Sequence, residues 1–379
     1  MKTSVATQTL FLLASLGWLV VACGPGSGPD PEETLQPYTL AAPKHFSGNF
    51  RLPTDNPMTV QGVELGRMLF YEKKLSGDNT QACASCHQQK FAFTDGGKRF
   101  STGIAGQVGN RNTMSLANLL WVNRFFWDGR SSSLEEQALI PIQDPIEMHQ
   151  SLAQSVAKLQ ATDPYPARFK LVFGSERITA ENLAKALAQF ERTLISADSR
   201  YDRYLLGNRA ALTSLELEGL NLFFTHPDPL NGLRGGNCGD CHLQVTTAGD
   251  PSNWRGFHNN GLDNDGALNE GLQKVTGNAF DRGKFRAPPL RNIALTAPYM
   301  HDGRFNSLAQ VLDHYDQHIR DSQTLDPLIL AASNDYPAST PVKLFLTPRE
   351  KQAILAFMET LTDSTFINDR RFGNPFGQR

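Results

Sequence analysis

Two pentapeptides, Cys83-Ala84-Ser85-Cys86-His87 and Cys238-Gly239-Asp240-Cys241-His242, constrain this chain of 379 residues more than any other feature. CxxCH spacing lets two thiols bond to the vinyl groups of a haem while the residue that follows ligates the iron. The chain is therefore expected to carry two covalent haem c groups. Four of its five cysteines are spent in this way, and Cys23 is left over. Two CxxC pairs could also make a four-thiolate zinc site, or disulfides in an exported protein. Against those readings, each pair is followed at once by His, and the pairs lie far apart along the chain rather than in one knuckle.

The N-terminus accounts for the fifth cysteine. Lys2 followed by the apolar stretch Leu10 to Val21 reads as a signal peptide, too short and too early for a membrane span. The stretch ends in Val20-Val21-Ala22-Cys23-Gly24, which resembles the lipobox of bacterial lipoproteins, where the cysteine is acylated after cleavage. An ordinary signal peptide cleaved nearby is the alternative. Haem attachment to CxxCH resembles a process outside the cytoplasmic membrane, in agreement with export. The expectation is a periplasmic protein held to a membrane by a lipid on Cys23, with residues 1–22 as lipoprotein signal peptide. Residues 23–44, rich in Gly, Pro and acidic residues without apolar periodicity, read as a flexible linker. The remaining length suits two domains, 45–205 and 206–379, and a 40% hydrophobic composition is enough to bury a core in each. A net charge of −2 argues against a nucleic-acid partner.

An internal echo relates the two domains. The segment from Asn118 to Arg130, with Phe126-Trp127-Asp128-Gly129, aligns without gaps to Asn292–Arg304, with Met300-His301-Asp302-Gly303, and each copy follows one CxxCH. Matching order in both halves points to duplication. Local patterns are mainly helical. Thr347 to Glu350 forms a capping box with Pro348 at the first helical position, leading into Ile354, Leu355, Met358 and Leu361. Ser133 to Glu136, Thr213 to Glu216 and Ser307 to Gln310 give three more such starts, and Thr179 opens a helix whose apolar face is Leu183, Leu187, Phe190 and Leu194. The fold class expected is mainly α, with two cytochrome c-like haem domains related by duplication. The long stretches 95–112 and 227–289 are expected to wrap the haems, whose porphyrins replace much of an ordinary core.

Glu64-Leu65-Gly66-Arg67, Leu75-Ser76-Gly77-Asp78, Phe126-Trp127-Asp128-Gly129-Arg130, Arg282-Gly283-Lys284-Phe285-Arg286 and Leu290 to Gly303 together resemble the bacterial diheme cytochrome c peroxidase and MauG family, over about residues 45–365. The resemblance makes His87 and His242 the proximal ligands of the first, peroxidatic haem and the second, electron-transfer haem. Other members place a histidine opposite the first iron in a loop whose counterpart here runs Ser101 to Gln107, with Ile104 at the histidine's place. Ile104 cannot ligate, so the first haem is expected to be open, as in the MauG-like branch, with His149 the nearest histidine that could swing in. Peroxide cleavage at such an iron needs a group that moves a proton between the two oxygens. Glu147, with Pro141 ahead of it, stands where the family places its distal glutamate and proline, and a carboxylate beside a partly buried haem would have a raised pKa.

Trp127 matches the tryptophan that the family sets between its haems. Fourteen positions after His301, where other members carry a methionine ligand for the second haem, stands Tyr315, the MauG-like choice. A phenolate is a hard anionic donor that favours oxidised iron. Met300 competes with it, and His314 and His318 stand behind. The same register implies an interhaem calcium ion held by the Asn112 side chain and the Thr296 and Pro298 carbonyls. Asp263-Asn264-Asp265-Gly266 resembles part of an EF-hand loop, but the ligand series is incomplete and it reads as a turn. Ile104 and Tyr315 together favour a MauG-like enzyme that reacts with hydrogen peroxide and oxidises a partner protein or substrate. The alternatives are a cytochrome c peroxidase fed by a small electron-donor protein, and a non-enzymatic diheme electron carrier.

Overall fold

The computed structural model describes Met1 and residues 34–46, 50, 52–242, 256–337 and 342–377. Apart from Met1, the expected signal peptide lies outside the described residues, as do Cys23 and the rest of the first half of the expected linker. Leu35–Arg379 form one compact unit. Within the stretch expected as linker, the Tyr38 amide donates to the Met58 carbonyl at 3.0 Å and the Val60 amide to the Gln36 carbonyl at 2.9 Å. Residues 36–38 are thus tied to the globule.

The fold is predominantly helical, with thirteen α-helices among the described residues. The first seven are α1 (Val60–Phe70), α2 (Cys83–Cys86), α3 (Leu134–Gln143), α4 (Leu152–Gln160), α5 (Tyr165–Phe173), α6 (Ala180–Arg192) and α7 (Arg200–Leu205). They are followed by α8 (Ser214–Phe224), α9 (Gln273–Thr276), α10 (Leu308–Gln317), α11 (Pro327–Leu330), α12 (Pro348–Glu359) and α13 (Ser364–Asn368). The predicted starts are the real ones. Thr347 and Thr213 cap α12 and α8 with reciprocal boxes, and Thr179, Ser133 and Ser307 cap α6, α3 and α10. In the last two the return arm differs: Glu136 accepts from the Ser132 amide at 2.8 Å, and Gln310 from the Asn306 amide at 2.7 Å. Within 227–289, expected as loop, a short antiparallel ladder pairs β1 (Phe257–His258) with β2 (Phe285–Arg286). Four residues of extended chain separated by a long loop give no periodicity that a sequence could reveal.

Two helix crossings carry the core. In the first, α1 packs on α6, and a Cβ on Gly66 would overlap the Ala186 carbonyl oxygen; in the second, α8 packs on α12, and a Cβ on Gly219 would overlap the Ala353 carbonyl oxygen. Each crossing places backbone on backbone, which only glycine permits. The apolar face of α6 is fully buried, with Leu183, Leu187 and Phe190 at 0% exposure.

Local geometry recurs between the halves at a constant offset. Asn118 and Asn292 both have left-handed backbone, as do Phe126 and Met300. Short 3-10 turns follow at Leu119–Trp121 and Ile293–Leu295, and bridge pairs close at Phe125–Ser131 and Tyr299–Phe305. The two asparagines also do the same work. Asn118 Oδ1 accepts the Ser196 amide at 2.8 Å just beyond α6, and Asn292 Oδ1 accepts the Asp363 amide at 2.7 Å just beyond α12.

Candidate active site

None of the four CxxCH cysteines is joined in a disulfide, and no group of three or more His, Cys, Asp or Glu among the described residues is placed to hold a metal ion. Neither a disulfide pair nor a four-thiolate zinc knuckle is formed. Burial pushes the thiols of Cys83 and Cys238 up to about 12. Surroundings that disfavour a thiolate suit a neutral thioether, the form sulfur takes when bonded to haem.

Helix α2 places Cys83 and Cys86 one turn apart, and its last bond runs from the His87 amide to the Cys83 carbonyl at 2.9 Å. His87 Nδ1 lies 2.8 Å from the Phe93 carbonyl. A carbonyl only accepts, so Nδ1 carries the proton and Nε2 keeps the lone pair an iron would take. Burial lowers the His87 pKa and keeps the ring neutral. These residues fit a haem c.

The loop containing Ile104 lies against the segment containing Glu147. The Ile104 amide donates to the Glu147 carbonyl at 3.0 Å, and Gly103 sits too close to the Ile146 and Glu147 carbonyls for any Cβ. Four bonds tie the Glu147 turn back to α3: Glu147 and His149 amides to Asp144, Met148 to the Pro141 carbonyl, and Gln150 to Ile142. Pro141 thus positions the turn. Both Cys83 and Cys86 feel the Glu147 charge, which places the carboxylate near the first haem attachment. Glu147 is exposed; its pKa is raised by partial desolvation and by Asp144, with Arg130 opposing the rise. His149 is exposed.

Around the second CxxCH lies a cavity of about 200 Å³. Cys238, Cys241 and His242 line it together with Tyr315 and Met300. The Asn260 amide joins the two rival ligands, donating to the Tyr315 hydroxyl at 2.9 Å and standing 3.5 Å from the Met300 sulfur. Burial raises the Tyr315 pKa, so the phenol is neutral here, and only a strong Lewis acid would remove its proton. His314 points Nε2 at the Asn260 carbonyl, 3.0 Å away, and His318 is exposed beside Asp313. Neither lines the cavity. His242 is held neutral, its pKa pushed down to about 4 by burial and then by His258. Its buried Nδ1 has no hydrogen-bond partner among the described residues, the Pro288 carbonyl facing it only loosely.

Trp127, Asn112, Thr296 and Pro298 line the same cavity. The indole Nε1 donates to the Asn112 carbonyl at 2.8 Å, and the Asn112 amide donates to the His301 carbonyl at 2.9 Å. The Asn112 side-chain nitrogen donates to Arg99 at 3.1 Å, which turns its oxygen away from that carbonyl. The Asp263–Gly266 segment is a turn whose carboxylates are engaged by Arg304 and the Gln323 amide.

Sequence reasoning missed three cavity residues, His258, Asn260 and Arg286. His258 Nδ1 pairs with Asp326 Oδ2 at 2.7 Å. Burial works against its charge, but hydrogen bonds to Asp326 and Cys241 raise it to about 10. The Cys241 share disappears once that sulfur is a thioether. Arg286 lay in a quoted motif without a role; His258 and Asn260 gave no signal, because their partners lie 55 to 68 positions away.

The family model for di-haem cytochrome c peroxidase matches residues 60–210. The chain is 35% identical over 315 residues to the methylamine utilization protein MauG of Methylorubrum extorquens, covering 82% of this chain and 80% of that protein. It is 36% identical over 310 residues to the cytochrome c551 peroxidase of Nitrosomonas europaea, covering 81% and 83%. Among solved structures, a MauG-like protein associated with microbial copper homeostasis superposes with a TM-score of 0.78 at 38% identity, covering 90% of this chain and all of that one.

Proposed function

This chain belongs to the diheme cytochrome c peroxidase and MauG family of oxidoreductases, and we propose that it reacts with hydrogen peroxide at an open first haem on His87 and shares oxidising equivalents with a second haem held by His242 and Tyr315. When bound, the haems supply iron centres that accept and release single electrons. His87 and His242 offer each iron a neutral Nε2. Ile104 leaves the far side of the first site without a donor. Glu147, as carboxylate, would take a proton from one peroxide oxygen and give it to the other, and the two electrons that O–O cleavage to water needs would be those the haems supply. Trp127, anchored on the Asn112 carbonyl, provides an aromatic path towards the second site.

The observation that carries the MauG-like reading is the Tyr315 hydroxyl in the cavity of Cys238, Cys241 and His242. Met300 shares its left-handed turn with Phe126, whose side chain cannot ligate, so the turn alone accounts for its backbone. In this reading the electrons come from an oxidisable partner protein or substrate. A second reading is a cytochrome c peroxidase, in which a donor protein supplies two electrons and two protons are taken up to give two waters; the Nitrosomonas relative's name favours it. A calcium ion held by the Asn112 side chain and the Thr296 and Pro298 carbonyls, two domains arisen by duplication, and periplasmic tethering through Cys23 complete the proposal.

Electron paramagnetic resonance of the resting diferric protein is expected to show one high-spin and one low-spin haem. Two low-spin haems, each with histidine on both faces, would sink the open-site claim. Tyr315→Phe should abolish the low-spin signal, whereas an unchanged signal points to Met300. Fast peroxide turnover with reduced cytochrome c would select the second reading.

A further inference from the structure

Arg286 is a buried cation that meets no anion among the described residues. It is 6% exposed. Its guanidinium reaches only the Arg124 carbonyl, 3.2 Å from Nη1, and the Met114 sulfur, 3.4 Å from Nη2, while Nε has no partner among the described residues. Other buried arginines are treated differently. Arg192 forks onto Glu135 at 2.8 and 2.9 Å, and Arg291 forks onto Asp202.

Burial pulls the Arg286 pKa down to about 10, with no acid near enough to restore it, so the group is still charged at neutral pH. An uncompensated buried ion loses more in desolvation than a carbonyl and a thioether return. The cost is not an accident of a loose side chain. Arg286 sits in β2, paired with Phe257 across the ladder, and its amide donates to the Trp127 carbonyl at 2.9 Å.

Arg286 lines the cavity that contains Cys238, Cys241 and His242, and no aspartate or glutamate among the described residues lines it. The missing anion must arrive with the ligand. A haem c brings two carboxylate side chains, and a planar guanidinium matches a carboxylate in two parallel hydrogen bonds. We propose that Arg286 is the counter-ion of a carboxylate on the haem attached at Cys238 and Cys241, fixing that edge of the haem beside Trp127. The inference rests on the diheme reading.

Haem content is therefore measured first: fewer than two covalent haems per wild-type chain would sink the diheme reading, not the role of Arg286. Spectroelectrochemical titration of the holoprotein then compares wild type with Arg286→Gln and Arg286→Lys. Loss of the charge leaves the carboxylate uncompensated and favours the ferric state. Arg286→Gln should shift the reduction equilibrium of the second haem at least tenfold towards oxidised, about 59 mV for a one-electron couple. Arg286→Lys, which keeps the charge, should recover most of it. An Arg286→Gln protein with both haems and an unmoved potential overturns the proposal. So does a wild-type potential that follows chloride concentration, which would assign the site to a free anion. Should Arg286→Gln fail to load its second haem, infrared difference spectra of the wild-type holoprotein with carbon-13 labelled haem carboxyls decide. A paired carboxylate stays ionised at pH 5, and a second haem with both carboxyls protonated there overturns the assignment.

Discussion

Glu147 shows how much one side chain draws from its setting. In water a carboxylate is almost fully ionised at neutral pH and a weak base. Here partial desolvation and Asp144 raise its pKa, which makes it a better proton acceptor while ionised. The sign of the pH dependence follows. A base must be ionised to act, so the rate of reaction with peroxide should rise with pH through a midpoint above the ordinary carboxylate range, and fall below it. Glu147→Gln should slow the reaction by about 10²–10⁴-fold and flatten that rise, as read by stopped-flow absorbance of the first haem. A flat profile in wild type would show that another group moves the proton. The position of Glu147 in the chain was legible from the family register. The bond that joins its carbonyl to the Ile104 amide was not, because it links segments more than 40 residues apart.

At the scale of elements, the protein is organised by two helix crossings, each closed by glycine against an alanine carbonyl. Helix propensity alone favours Ala over Gly by about 1 kcal/mol. The overlapped atom belongs to the facing backbone and cannot swing aside, and overpacking of that kind costs about 1–3 kcal/mol. Gly66→Ala and Gly219→Ala are each expected to destabilise the holoprotein, measured by thermal unfolding. A variant as stable as wild type would mean that the helices separate at little cost. The caps of these helices were readable because a cap is decided within four residues. The crossing partner was not: nothing in Glu64–Phe70 names Ala186 as the residue it will meet.

The whole molecule returns on itself. Phe366 and Phe372, from the end of the chain, join the apolar cluster of the first half, with the Phe366 ring 5.5 Å from that of Phe93. Tyr71 donates to the Phe372 carbonyl and Arg67 to that of Gly373, both at 2.8 Å. The Phe93 carbonyl is the group that orients His87. Removing residues 364–379 strips two buried phenylalanines, each worth about 1.5–3 kcal/mol, from behind that carbonyl. The truncated protein should unfold at lower temperature and show a perturbed high-spin haem, while the reduction potential of the second haem stays near that of wild type. A perturbation confined to the second haem would contradict this route.

The sequence by itself determined what is local or repeated: the two CxxCH pentapeptides, the capped helices and the echo between Asn118–Arg130 and Asn292–Arg304; the family resemblance added the positions proposed for Glu147, Trp127 and Tyr315. Covalent spacing and helical periodicity act over a few residues, so they can be read in one dimension. Only the tertiary structure decided which groups end without a partner and which share one. Asn260 standing between Tyr315 and Met300, and Arg286 buried without an acid among the described residues, depend on chain segments 40 to 172 residues apart. Burial and charge compensation are properties of the packed volume, and no local pattern encodes them.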